Sequence, residues 1–521
     1  MNAKFSYRKL KDWPPLAWIA SWRPGEDAIT VQHGPLVETH PDWFGELVWD
    51  KDYRQGAFHQ TDVVYGSGCR RTAGGMIFVT SAAIVDRLQW CQADGKYWVS
   101  NSLACLLWNV KATLPPNYPY YFRDFGSITH GIDEYRRVLR SSAGDVHLVY
   151  FRNLVWCNGE LQERMKPRPL RDFGTFGKYR EFLEASLCRL SQNMDDKSRR
   201  HRYSMLATIS TGFDSPTVAV LARAAGLRQT LSFDTSRDHG DDNGASISAL
   251  VGLEPQVVKR DAWREVPFSE VPFLASDAKG EDVYFAGAEP LLAGRVLLTG
   301  FDASRVWKAG SSRNDSMRRG DQSGLSLTEY RLWAGFIHCP VPTIASRQTE
   351  DLYRMIASPE MLPWRSQAAY NKPFSRRVLQ DAGVPSHMFG VQKKAASVLF
   401  FDQSSFLSPA AAEDFRQWRR QVMDRSPAAT RIGVLLSKGA VTLTSQLVRV
   451  AQRAAGPLST IVSSQRLKKI AASKRLARYA RYSAEFRYIF PWAVERAKQR
   501  YDVGGLQAGE GGQPAQPRRS A

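Results

Sequence analysis

Thr208-Ile209-Ser210-Thr211-Gly212-Phe213-Asp214-Ser215-Pro216-Thr217 is the stretch on which the reading of this chain turns. Ahead of it, the apolar run from Ser204 to Ile209 predicts a short buried strand. Behind it, Pro216 to Ala225 predicts a helix that Gly226 stops. Its Pro lies in the first turn, where a missing N–H costs nothing. A strand, a loop of small residues and a helix N-terminus make an anion site, because N–H groups point into the loop and the helix dipole favours negative charge. Ser210, Thr211 and Ser215 add hydroxyls. Asp214 is out of place among phosphate donors unless a cation bridges it to the phosphate, as Mg²⁺ on a nucleoside triphosphate does. No Gly-x-x-x-x-Gly-Lys-Ser/Thr occurs, so this is not a Walker loop.

Outward from the loop the pattern alternates. Strand 204–209 and helix 216–225 are followed by strand 229–234, helix 243–251 and strand 256–259. Such alternation predicts right-handed crossovers and a parallel sheet. Ligands then bind at the carboxyl ends of the strands, where Ser210 to Ser215 lie. Asp234, closing the next strand, is expected near a nucleotide's ribose or adenine. Asp238 to Gly244 reads mainly as capping for the second helix. A further strand, Val296 to Leu298, leads into Thr299-Gly300-Phe301-Asp302-Ala303-Ser304-Arg305. Residues 311–325 read as a mobile polar loop, and Leu327 to Ile337 as a helix ended by Pro340-Val341-Pro342.

The first 165 residues read as mostly β, with strands at Ala28–Gln32, Met76–Thr80, Tyr97–Ser100 and Asp145–Phe151 and no helical pattern before Leu103. Gly66-Ser67-Gly68-Cys69-Arg70 reads as a turn, and residues 166–175 as a linker. A helix follows from Lys178 to Asn193, with Phe182, Leu183, Leu187 and Leu190 on one face. This divides the 521 residues into 1–165, 176–400, a helical basic extension 401–503, and a Gly/Pro/Gln tail 504–521 read as disordered. The six Cys lack metal-ligand spacing, and no apolar run is long enough to span a membrane, so a cytoplasmic protein with reduced thiols is expected. The net charge of +20 invites anionic partners. Much of it is local: Arg466, Lys468, Lys469, Lys474, Arg475, Arg478 and Arg481 interleave with apolar residues in a predicted helix over 459–500. Such a helix either meets an anionic surface or packs on its apolar stripe.

Ser210, Gly212, Asp214 and Ser215 resemble the pyrophosphate loop Ser-Gly-Gly-x-Asp-Ser of the asparagine synthetase family, with Thr211 for its first Gly. Asp86-Arg87-Leu88, Lys96 to Leu103 and Ser142 to Asp145 are similar in layout to that family's N-terminal glutaminase-type domain. Glu329-Tyr330-Arg331-Leu332, Tyr370-Asn371-Lys372-Pro373 and Phe389 to Lys394 follow its C-terminal half in order. The resemblance implies an Ntn-type β domain, then a parallel-sheet ATP-pyrophosphatase domain with a helical extension. It implies ATP and Mg²⁺ as cofactors, with Ser210, Thr211, Gly212, Asp214, Ser215, Asp234 and Gly300 at the nucleotide, Asp214 and Asp302 on the metal, and Lys393, with Lys394 its competitor, stabilising the leaving pyrophosphate.

Two departures matter. Residue 2 is Asn, where the family's glutaminase needs Cys. In the 299–305 segment Ser304 takes the position of the family's second metal-binding Asp and Arg305 that of the following acid. Either Asp302 shifts into the role, or Arg305 contacts phosphate, or metal-dependent catalysis is weakened. The expected activity is therefore an ATP-dependent ligase that adenylates a carboxylate and forms an amide without its own glutamine hydrolysis. Its nitrogen would come from ammonia, a partner glutaminase or a substrate amine. The alternative is a nucleotide-binding pseudoenzyme acting as an interaction protein. A nucleic-acid-modifying ATP pyrophosphatase fits the charge but lacks a Cys pair or nucleic-acid module.

Overall fold

The computed structural model describes residues 4–26, 28–308, 316–366, 370–391, 394–399, 406–425 and 487–502, with residues 446, 450, 453 and 454 between the last two. It is a mixed α/β chain: a strand-rich N-terminal region, then a parallel sheet, then helices.

The N-terminal strands are β1 (Lys4–Lys9), β2 (Trp18–Trp22), β3 (Ala28–His33), β4 (Glu38–Thr39), β5 (Trp43–Trp49), β6 (Val64–Thr72), β7 (Gly75–Val79), β8 (Arg87–Ala93), β9 (Lys96–Ser100), β10 (Val138–Ser141), β11 (Gly144–Tyr150), β12 (Asn153–Cys157) and β13 (Glu160–Arg164). They form a seven-stranded sheet in the order β1-β3-β2-β9-β8-β11-β10 and a six-stranded sheet in the order β13-β12-β7-β6-β5-β4. Period-2 alternation sends Trp18, Ala20 and Trp22 from the first sheet against Phe44, Cys69, Phe78 and Trp156 of the second, making one shared core. Helix α1 (Leu103–Asn109) begins where the sequence suggests, capped by the Ser102 side chain, and packs on β2, β8 and β9. After α2 (Tyr121–Gly126), the long helix α3 (Phe176–Met194) packs against β5.

The Gly66–Arg70 segment is not a turn but the middle of β6, and its glycines serve close strand pairing. A Cβ on Gly68 would lie 2.3 Å from the Phe44 carbonyl oxygen, and one on Gly66 1.9 Å from that of Glu46. The 166–175 segment has no regular structure, yet it is anchored: buried Lys166 donates to the Thr80 carbonyl and to Asn153 Oδ1, each at 2.7 Å.

The second sheet system comprises β14 (Ser204–Ile209), β15 (Gln229–Phe233), β16 (Glu254–Val258), β17 (Arg295–Thr299) and β18 (Ile337–Pro340), all parallel, in the order β16-β15-β14-β17-β18. Helices α4 (Asp214–Ala222) and α5 (Ala245–Leu250) make the first two crossovers. The chain builds outward from β14 in one direction, then returns to its other side with β17. The Leu327–Ile337 helix predicted from sequence ends at Ala334; Gly335 turns the backbone at φ +77°, and Ile337–Pro340 is the edge strand. That apolar run fits either a helix end or a short buried strand, and pairing with β17 decides it.

Of the predicted 459–500 helix, residues 459–486 lie outside the described residues, as do 504–521 and most of the helix predicted over 428–455. The Ile489–Lys498 helix is not a basic surface. Phe490, Trp492, Ala493 and Val494 are buried, and it packs against α1 and the Val271–Asp277 helix. Among the described residues, no helix is long and apolar enough to cross a membrane.

Two buried carboxyls in this second half carry a pH signature. Asp282 Oδ2 accepts from Ser326 Oγ at 2.7 Å and the Gly324 N–H at 2.9 Å, while Oδ1 has no partner. Burial, helped by the charge of Asp277, pushes Asp282 up to about 7, and burial pushes Asp277 up to about 6. A carboxyl raised on folding binds its proton more tightly folded than unfolded, so stability falls as pH rises from the unfolded value near 4 and levels off above 7. The thermal midpoint is therefore expected to drop between pH 5 and pH 8, and Asp282→Asn to flatten that slope. An unchanged slope in the variant would mean that Asp282 does not set the pH dependence of stability.

Candidate functional site

Loops at the carboxyl edge of β14 and β17 meet because one residue has no side chain. A Cβ on Gly300 would sit 2.6 Å from Asp214 Cβ and 2.9 Å from the Ser215 nitrogen. Gly244 does the same on the other side, where a Cβ would lie 2.7 Å from the Ser210 nitrogen. These close approaches stitch the β17 loop and the start of α5 to the loop after β14. In a parallel sheet, the point where the chain leaves a central strand in both directions is where ligands bind.

Within the loop, Ser210 Oγ is 3.0 Å from Ser215 Oγ and accepts the Gly212 N–H at 3.1 Å. Thr211 donates through its hydroxyl at 2.9 Å and its N–H at 3.3 Å to Asp242 Oδ1. Burial raises the Asp242 carboxyl above its usual range, against the pull of the Thr211 bonds. Lys394 Nζ donates to Thr211 Oγ1 at 3.4 Å and to the Asp241 carbonyl. Phe213 is the anchor that sequence reading passed over. Fully buried, it lies edge-on to Tyr370 and Phe389 with centroids 5.0 and 5.5 Å apart. A Cβ on Gly390 would fall 2.3 Å from the Phe213 ring, so the 370–390 segment clamps the loop from outside.

Ser210, Thr211, Gly212, Asp214, Ser215 and Gly300 thus share one place. Asp234 does not offer its carboxylate freely: Oδ1 accepts from the Arg260 N–H at 2.9 Å, which ties β15 to the end of β16. Asp302 sits in the left-handed region at φ +72° and is buried. Its Oδ2 accepts from Arg305 Nε at 2.9 Å and Nη2 at 2.5 Å, and Arg319 Nε lies 3.8 Å from Oδ1. Arg305 in turn donates to the Ser346 carbonyl at 2.8 Å. Of the options for this segment, the structure therefore pairs Asp302 with Arg305 rather than turning either toward the loop. Lys393 lies outside the described residues.

The residue that sequence reasoning missed is Lys372. Its side chain is 1 % exposed, and Nζ donates at 2.5 Å to both oxygens of Asp214 and at 3.2 Å to Ser304 Oγ. The only signal was its place in Tyr370-Asn371-Lys372-Pro373, before the Pro that starts the next helix. A cavity of about 1360 Å³ lies elsewhere, between the Val271–Asp277 helix, Tyr330 and Arg500. It holds none of these groups, and the hydrogen-bonded loop is the better candidate for chemistry.

A magnesium ion held by Asp214 and Asp302 does not fit this arrangement. Each carboxylate already faces a cation, Lys372 for one and Arg305 for the other. Among the described residues, no three His, Cys, Asp or Glu side chains gather as a metal-binding group. No family model matches the chain, and no curated protein matches it.

Proposed function

We propose that the chain binds ATP at the Ser210–Ser215 loop and is an asparagine-synthetase-like ATP-dependent ligase. It would adenylate a carboxylate, release pyrophosphate, and form an amide with ammonia or an amine, releasing AMP. The observation that carries this reading is the position of the loop: it follows the central strand of a parallel sheet, at the switch point, with Gly300 pressed against Asp214. The positive end of the α4 dipole, the hydroxyls of Ser210 and Ser215, and Lys394 suit a polyphosphate. The double β-sheet region at the N-terminus, helix-covered by α1 and α3, is consistent with a glutaminase-like domain. Cys69 offers no substitute nucleophile there, since burial raises its thiol well above the usual range. Nitrogen therefore comes from ammonia, a partner glutaminase or the substrate itself.

The buried Asp302–Arg305 pair supports a second reading, a nucleotide-binding protein that no longer adenylates. ATP–pyrophosphate exchange over a panel of amino acids and carboxylated sugars separates the two. Exchange with any carboxylate supports the ligase. ATP binding without exchange supports the binder, and absence of both discards the nucleotide site.

A further inference from the structure

We infer that Lys372 takes the place of a divalent cation in this site, so that polyphosphate binds the Ser210–Ser215 loop without magnesium. The inference rests on the nucleotide reading of the loop and asks what neutralises the charge there.

Lys372 Nζ touches three oxygens: both of Asp214 at 2.5 Å, and Ser304 Oγ at 3.2 Å. An ammonium has three protons, and these contacts use them all. The three oxygens come from the two connections that flank the switch point, Asp214 from the start of α4 after β14 and Ser304 from beyond β17. A metal ion bridging these loops would draw on the same two places. The charge balance also agrees. A divalent ion held by two carboxylates is neutral, and so is an ammonium held by one carboxylate and one hydroxyl. The second carboxylate that a metal would need is absent: position 304 is Ser, and the nearby Asp302 is spent on Arg305.

The lysine is also held in place for the task. Its side chain is 1 % exposed, its ammonium lies 5.6 Å from the Tyr370 ring centroid, and Pro373 behind it starts a helix. A buried ammonium persists only when paired. Lys372 is thus a fixed part of the site rather than a surface side chain that happens to reach in. With Asp214 neutralised, a phosphate can approach the start of α4 and the Ser210 and Ser215 hydroxyls without repulsion from that carboxylate. Lys372 acts on that phosphate by cancelling the charge of Asp214.

Isothermal titration of the full chain with inorganic pyrophosphate, and separately with ATP, tests this in EDTA and in excess magnesium. The wild-type Kd in EDTA is expected within about threefold of the magnesium value, whereas a metal-built site loses affinity by orders of magnitude without its ion. Lys372→Met is expected to weaken binding in EDTA by at least about tenfold, and Lys372→Arg to retain most of it. The wild-type comparison needs no variant, so it stands even where Lys372→Met does not fold. Binding in magnesium alone overturns the inference and leaves the nucleotide site intact. Binding in EDTA that Lys372→Met leaves unchanged also overturns it. Failure of both probes in both buffers overturns the nucleotide reading together with the inference.

Discussion

Arg331→Ala is expected to destabilise the chain by about 3–5 kcal/mol, the range for breaking a buried ion pair. Arg331 is 1 % exposed and donates to Glu46 Oε2 at 2.7 Å, Glu46 Oε1 at 3.1 Å and Asp86 Oδ1 at 2.9 Å. Its removal strands two carboxylates of the N-terminal region, Glu46 in β5 and Asp86 just before β8, against the second half of the chain. Burial already raises the Glu46 carboxyl despite the guanidinium beside it, so without Arg331 that acid must protonate or draw water inward. Neighbouring Glu329, buried with Ser102 Oγ at 2.9 Å and Tyr501 OH at 2.7 Å, makes the same junction depend on the C-terminal segment. The surface pair Arg23–Glu26, with side chains 52 % and 48 % exposed, is the control, and Arg23→Ala should change stability by no more than about 1 kcal/mol. Urea unfolding of both variants checks the contrast. A loss below about 1 kcal/mol for Arg331→Ala would mean the two halves are not held by this triad.

Asp214→Ala is expected to lower ATP–pyrophosphate exchange by about 10²–10³-fold, the size seen when one preorganised charge or donor is removed from a reacting phosphate or oxyanion. Two effects add. The variant loses the carboxylate that fixes Lys372, and it leaves a buried ammonium with only Ser304 Oγ at 3.2 Å among these three oxygens. The freed lysine then competes for phosphate in the wrong place. Thermal unfolding of the variant separates this from loss of fold, because Asp214 lies in the first turn of α4 and its side chain is 27 % exposed. An exchange rate within about threefold of wild type would remove Asp214 from the reaction.

What the sequence made legible was local. The unit from Ser204 to Ala222 could be read because strand, small-residue loop and helix start each leave a mark within a few residues. The parallel sheet could be anticipated for the same reason, since alternation of strand and helix constrains topology. Strand β6 was hidden because Gly66 and Gly68 signal turns, and only the neighbouring strand reveals that they serve close approach. Strand β2 was hidden because every residue from Trp18 to Trp22 is buried, so no alternation marks it. The site divided along the same line. Ser210, Gly212 and Ser215 are neighbours in sequence and in space. Lys372 lies 158 residues from its partner Asp214, and no local pattern announces that pairing. Asp302 could be named as a carboxylate, but its capture by Arg305 depends on a left-handed backbone step at Asp302 itself.

Hydrogen–deuterium exchange of the full chain with and without ATP locates the bound nucleotide without assuming a reaction. Protection is predicted in peptides covering 208–217 and 298–306, and in the 370–391 segment that clamps Phe213. Protection confined to the peptides around the cavity between residues 262–293 and 496–500, with the 208–217 amides unchanged, would contradict the assignment of the loop as the nucleotide site.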